Sequence, residues 1–277
     1  MAITLTEKFA ELVDERFAPM AVTSAGTNQD YDWDGAQTIK LTGVNTSEMS
    51  DYKRSGSNRY GEPKELENEI QTLTLTKDRS FTFTLDKMNE EETKMKAAEA
   101  LARQLREVTV PEIETYRLKV MGDNAGGKGE GTLTEETVYK EFLKGNEHLD
   151  DASVPENRVA YFKPAALNML KLDKNFVKEC DLAQDQIRFK GQVGEVDGVA
   201  IIKATKKFMG EYEFIIAHAS VTVAPVKLAE TKVHIDPPGL SGTLVEGRFY
   251  YDAFVRNQKK DGLYAFKAKA EAKTAAK

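Results

Sequence analysis

The stretch from Asn89 to Met121, NEEETKMKAAEALARQLREVTVPEIETYRLKVM, constrains the fold of this chain most. Asn89 is suited to cap a helix, because its side-chain oxygen can accept from the backbone N–H groups of the first turn. Glu90, Glu91 and Glu92 then sit near the positive end of the helix dipole. Apolar residues recur at helical spacing at Met95, Ala98, Leu101, Ala102, Leu105 and Val108, and Lys, Arg and Glu fill the other face. Pro111 lacks a donor and disfavours helix at Val110, so a kink or break is expected there. A second periodic run follows at Ile113, Tyr116, Leu118 and Val120. One continuous helix would be roughly 45–50 Å long at 1.5 Å per residue, more than the diameter of a small domain. Such a rod is either a coiled-coil strand or a strut across a broad molecule. The heptads are not sustained, which favours the strut.

The preceding stretch alternates strictly, at Thr72-Leu73-Thr74-Leu75-Thr76 and again at Ser80-Phe81-Thr82-Phe83-Thr84-Leu85. With Lys77-Asp78-Arg79 between them, the two runs read as a β-hairpin carrying Leu73, Leu75, Phe81, Phe83 and Leu85 on one face. A lone hairpin is marginal in water, so this face needs its own body or a neighbouring subunit to lie on.

Several classes are excluded early. The 277 residues allow one large domain or two modest ones. There is no apolar run of about 18 residues to cross a membrane as a helix, and the N-terminus, charged through its first turns, is not a secretory signal. The single Cys180 rules out an internal disulfide and suits a reducing compartment. One Cys and three scattered His make a structural zinc site improbable. A net charge of −6 is not built to grip nucleic acid over the whole surface.

Along the chain, residues 2–18 read as an amphipathic helix with Phe9, Leu12, Val13 and Phe17 as its stripe. A polar, turn-rich stretch and a strand at Gln37–Val44 follow. Residues 45–69 hold almost no apolar side chains, so the unit reads as an extended two-stranded arm with a polar tip. After Met121, GDNAGGKGEG reads as a flexible linker. Thr134 then caps a helix, with Thr137 where a capping box would place Glu or Gln. Arg158–Phe162 reads as a buried strand, and Pro164 is well placed to start a short helix. Strand-rich sequence follows to Val255, and the tail KAKAEAKTAAK is low in complexity.

Near-motifs fail on inspection. Gly122, Gly127 and Lys128 have P-loop spacing, but Gly129 supplies no hydroxyl and the run follows a helix. Asp30, Asp32, Asp34 and Gly35 resemble the front of a calcium loop, but the twelfth position is Leu41. Asp150-Asp151 reads as a turn after a helix. His148, His218 and His234 are far apart, with no nucleophile motif to make a triad, and Tyr250 and Tyr251 read as packing residues of a strand. No catalytic residue, metal or cofactor is expected, and the absence of a catalytic constellation points to a structural role.

Three ordered segments carry a family resemblance: VPEIETYRLKVM after the long helix, VPENRVAYFKPAALNMLKLD before the strand-rich unit, and VGEVDGVAIIKA followed by EFIIAHASVTVAPVKLAETKVHIDP and FYYDAFVRNQKKDGLYA. Together they resemble the major capsid proteins of tailed bacteriophages and prophages, over about Ala18 to Phe266. The resemblance implies an α+β fold with an N-terminal arm (1–35), an extended loop (36–88) and a peripheral domain holding a long spine helix (89–131). It further implies an axial domain (132–225), returning peripheral strands (226–266) and a flexible tail (267–277).

The function so implied is a coat protein that assembles with itself into hexamers and pentamers of an icosahedral head, in the bacterial cytoplasm, around double-stranded DNA held without sequence-specific contacts. Many members carry an N-terminal scaffolding segment; it would be either removed or never present here, so a separate scaffolding protein is expected, and a portal and decoration proteins are the other implied partners. Asp51, Lys53, Arg54, Arg59, Glu62, Lys64, Glu65 and Glu67 would make reversible contacts between subunits, each exposed ion pair worth roughly 0–1 kcal/mol. Gly126, Gly127, Gly129 and Gly131 would form a hinge. In some members a Lys of the extended loop is crosslinked to an Asn of a neighbour. Lys53 or Lys64 and Asn257 match those roles by position alone, and a buried acid catalyst would also be needed. The alternatives are an encapsulin-type compartment shell, another virion component such as a tail tube, and a soluble enzyme of unknown chemistry.

Overall fold

A computed structural model describes residues 22–28, 38–44, 47, 49–62, 65, 68–87, 97–173 and 192–269. The expected helix at 2–18, the calcium-like carboxylates Asp30, Asp32 and Asp34, Lys64, Glu67, the Asn89 cap with its glutamates, Cys180 and the tail from 270 lie outside the described residues. The chain forms two compact units, one of residues 33–75 and one of residues 1–32 with 76–277.

The smaller unit is a two-stranded antiparallel ribbon. Strand β1 (Thr38–Val44) pairs with β2 (Asn68–Thr74), from Thr38 opposite Thr74 to Val44 opposite Asn68. The hydroxyls of Thr38 and Thr74 meet at 3.0 Å at one end. This is the two-stranded arm that the sequence indicates.

The larger unit is built on a six-stranded mixed sheet. Its strands are β4 (Gly127–Gly131), β5 (Arg158–Phe162), β6 (Gln192–Val196), β7 (Val199–Lys203), β8 (Tyr212–His218) and β13 (Leu263–Ala268), in the order β4-β13-β8-β5-β7-β6. Strand β5 is central, parallel to β7 and antiparallel to β8, and all five of its residues are buried. Period-two alternation sends its side chains to two cores. Ala160 and Phe162, with Phe214, Ile216 and Phe266, pack against helices α3 (Val138–Asp151) and α4 (Pro164–Leu172) through Phe142, Leu149, Leu167 and Leu170. Val159 and Tyr161, with Ile215, Ala217, Leu263 and Ala265, face Leu118 and Met121 of helix α2 (Val110–Asp123). A short helix, α5 (Lys206–Met209), adds Met209 to this second core.

A third core lies under a three-stranded antiparallel sheet of β10 (Val226–Ile235), β11 (Gly242–Tyr251) and β3 (Lys77–Asp86). Val245, Phe249 and Tyr251 of β11 meet Leu101 of helix α1 (Ala97–Gln104), Leu105 and Ile113, with Phe81 and Phe83 of β3 beside them. The pair β9 (Thr222–Val223) and β12 (Phe254–Val255) links the two larger sheets in sequence.

Four expectations are corrected. First, the helix is not broken at Pro111, one of the two outcomes expected there. A π-helical turn at Leu105–Thr109 joins α1 to α2, and the Val110 N–H donates to the Leu105 carbonyl five residues back. The widened turn keeps Val110 helical (φ −60°, ψ −49°) ahead of a proline that has no N–H to place. The buried face of α2 is also set differently, by Ile113, Glu114, Arg117, Leu118 and Met121, while Tyr116 and Val120 are only half-buried.

Second, the two alternating runs do not form a hairpin. The first ends β2 and pairs with β1, whereas the second lies in β3 and pairs with β11. Lys77, Asp78 and Arg79 have none of the Gly or Asn chemistry of a tight turn. They extend β3 opposite Tyr251, Tyr250 and Phe249, and Arg248 donates to both oxygens of Asp78 at 3.0 and 2.6 Å. Leu73 and Leu75 are buried, but Phe81, Phe83 and Leu85 belong to another sheet, and the arm ends at 75 rather than 88.

Third, Gly127–Gly131 is a strand, parallel to β13 with Gly127 opposite Tyr264. A Cβ on Gly127 would lie 2.5 Å from His148 and 2.6 Å from Tyr264. These glycines let aromatic side chains lie over the strand, so the stretch is a paired strand and not the flexible linker that its composition indicates. Fourth, residues 226–266 do not stay together. Strand β10 pairs with β11 and β11 with β3, while β13 inserts between β4 and β8 of the six-stranded sheet.

Candidate assembly surface

The tip between β1 and β2 is polar in composition but ordered locally. Its backbone closes through Lys53 N–H donating to the Arg59 carbonyl at 3.0 Å and Gly61 N–H donating to the Asn58 carbonyl at 3.0 Å. The Ser50 hydroxyl donates to the Tyr60 carbonyl at 3.1 Å, and Arg59 Nε donates to the Gly56 carbonyl at 3.3 Å. Asn58 takes a left-handed conformation (φ 56°), which Asn tolerates better than most residues. The rings of Tyr52 and Tyr60 meet edge to face at 5.0 Å. Asp51, Lys53, Arg54, Arg59, Glu62 and Glu65 are all exposed here. So are Met49, Tyr52 and Tyr60, with Met49 wholly solvent-accessible. Reading the tip as one with almost no apolar side chains gave these three no role, spaced as they are through a charged stretch where they have no core to join.

Where the chain re-enters the larger unit, it is held by a buried carboxylate. Asp252, 2% exposed, follows β11. Its Oδ2 accepts from the Thr76 N–H and the Thr76 hydroxyl, both at 2.8 Å. Its Oδ1 accepts from the Tyr116 hydroxyl at 2.6 Å and the Ala253 N–H at 2.8 Å. Burial, then the bond to Asp252, pushes the Tyr116 phenol above its usual range. Lys77 Nζ lies 4.9 Å from the centre of the Tyr116 ring.

A second buried polar cluster fixes residues 22–28. Glu114 accepts from the Val22 N–H at 3.1 Å, and from the Thr23 N–H and hydroxyl, each at 2.9 Å. Arg117 donates to the Thr23 hydroxyl and the Ala224 carbonyl, and the Tyr161 hydroxyl donates to the Thr23 carbonyl. Asn28 bridges to β9 by donating to the Thr222 carbonyl at 2.7 Å. Neither cluster was legible as a site. Asp252 sits in an ordinary strand end, and Glu114 with Arg117 looks like a surface pair three residues apart.

Beside the π turn, a groove of about 410 Å³ is lined by Phe83, Ala100, Arg103, Gln104 and Val108, among others. Arg103 and Glu107 pair across its rim at 3.0 Å. Among the described residues no group of His, Cys, Asp and Glu could hold a metal ion, and no helix is long and apolar enough to cross a membrane. Asn257 opens a 3-10 turn (Asn257–Gly262) of the larger unit, and Lys53 is exposed on the arm tip.

No family model matches the sequence, and no curated protein matches it. The fold does match solved structures. One from Mycobacterium phage Che8 superposes with a TM-score of 0.72 at 16% identity, over 89% of this chain and 90% of that one. The capsid structure of the Cyanophage P-SCSP1u gives a TM-score of 0.68 at 9% identity, over 89% and 87%. A virus-like particle from Pyrococcus furiosus gives a TM-score of 0.62 at 10% identity, over 95% and 99%. The two-stranded arm, the long helix and the sheets therefore assemble into the phage-capsid fold that the sequence resembles.

Proposed function

We propose that this chain is the major capsid protein of a tailed phage or prophage, assembling with itself into hexamers and pentamers that close an icosahedral head around double-stranded DNA. The observation that carries this reading is the match of fold over nearly the whole length of both chains in capsid structures. The arm supports it. Its tip presents exposed Met49, Tyr52 and Tyr60 among charges, a surface with apolar anchors and a polar rim that suits docking on a neighbour. A heterologous contact of this kind, repeated about an axis, closes into rings. The role is structural rather than catalytic. Scaffolding, portal and decoration proteins are the further partners of this reading, and the assembled virion is its location.

A compartment shell is the second reading, favoured by the match to the virus-like particle over 99% of that chain. Negative-stain microscopy with sedimentation of the purified protein, alone and with a candidate scaffold, tests both. Closed shells or rings of five or six are expected. A protein that stays monomeric under every condition would overturn both readings. Shells that form without scaffold and retain host protein instead of DNA would favour the compartment.

A further inference from the structure

The buried Asp252 carboxylate does more than fill a strand end. Its four donors are all neutral: two from Thr76, one from Tyr116 and one from Ala253. A buried carboxylate is costly unless its lone pairs are occupied, and here both oxygens accept two bonds each. The donors come from different parts of the chain. Thr76 is the first residue of the larger unit after the arm of residues 33–75. Tyr116 projects from α2, and Ala253 lies between β11 and β12. An amide in place of the carboxylate would turn N–H groups toward two of these donors, and an apolar side chain would satisfy none of them.

We propose that Asp252 is a positioning residue for assembly: it fastens the root of the arm to the long helix, so that every subunit presents its arm from the same fixed point. This rests on the capsid reading. A loose root would let the point from which the arm departs wander, so the entropy of fixing it would fall on each contact between subunits. A fastened root is set once, on folding. Tyr116 is the coupling element, because its hydroxyl is the bond that joins the root to α2. Its edge-to-face contact with Tyr251, at 6.1 Å, holds the ring in place.

The test compares wild type, Asp252→Asn, Tyr116→Phe and Thr76→Val in full-length protein. Ile201→Val, in the distant six-stranded sheet, serves as a destabilised control. Hydrogen exchange of peptides covering residue 76, read by mass spectrometry, reports the root directly. Assembly products are read by sedimentation and microscopy. Asp252→Asn is expected to fold, to exchange at residue 76 at least about tenfold faster, and to give open or irregular particles where wild type closes. Tyr116→Phe is expected to follow it in part, while Ile201→Val assembles as wild type. Wild-type shells from Asp252→Asn, or equal defects in Ile201→Val, would overturn the role of Asp252 and leave the capsid reading standing. A wild type that never assembles would instead overturn the capsid reading, and this proposal with it.

Discussion

Glu114 and Arg117, three residues apart on the long helix, approach to 3.6 Å with side chains 1% and 5% exposed. The pair is closed over by Thr23, whose backbone and hydroxyl both donate to Glu114. Removing one partner leaves an uncompensated buried charge. Arg117→Ala is therefore expected to cost about 3–5 kcal/mol in urea unfolding, far more than an exposed pair at the same spacing. Replacing both partners with Leu and Met should recover part of that loss.

The same pair gives a pH signature. Burial pushes the Glu114 carboxyl above its ordinary value, opposed by Arg117 and the Thr23 and Val22 donors. An acid whose native value exceeds its unfolded value, near about 4.3 for Glu, keeps its proton longer when folded. Its contribution to stability is thus greatest below the unfolded value and is lost as pH rises through the native one. Wild type should lose stability relative to Glu114→Gln as pH is raised across that window. A flat difference in a pH series of unfolding curves would contradict this.

Gly127→Ala tests the tight-packing role of β4. The new methyl would meet His148 at 2.5 Å and Tyr264 at 2.6 Å, and such overpacking costs about 1–3 kcal/mol. Gly131→Ala meets only Phe266, at 3.4 Å, and should be nearly neutral. Thermal unfolding of the two variants separates a packed strand from a hinge, which would tolerate both.

Phe214 stacks on Phe162 at 5.2 Å and on Phe266 at 5.3 Å, and all three are buried in the core beneath α3 and α4. Phe214→Ala should cost about 3–5 kcal/mol by denaturant titration. A loss below 1 kcal/mol would mean that the stack relaxes around the cavity.

The arm tip should behave in the opposite way. Tyr52 and Tyr60 are 52% and 86% exposed, so Tyr52→Ala with Tyr60→Ala should change subunit stability by no more than about 0.5 kcal/mol each. If the tip docks on a neighbour, the same double variant, like a deletion of residues 50–61, should lose assembled particles in sedimentation. Unchanged assembly would remove the tip from the interface.

The sequence by itself determined the types of the elements. Period-two alternation marked the strands now seen as β2 and β3, because side chains on a pleated chain point to opposite faces whatever pairs with it. Pro164 marked the start of α4 for an equally local reason, whereas α3 starts one turn later than a Thr134 cap implies, at Val138 with Thr137 at its N-cap, and the Thr137 hydroxyl accepts the Thr134 N–H at 2.9 Å. The tertiary structure decided which elements meet. Adjacent runs around Lys77 entered different sheets, because alternation says which face is apolar but not which strand supplies the hydrogen bonds. The glycines of β4 looked like freedom and proved to be space, since the rings of His148, Tyr264 and Phe266, all from later segments of the chain, lie where their side chains would be. Glu114, Arg117 and Asp252 look like surface residues in the sequence. Their burial depends on donors from distant segments, at Thr23, Thr76 and Tyr116, that only the folded chain brings within reach.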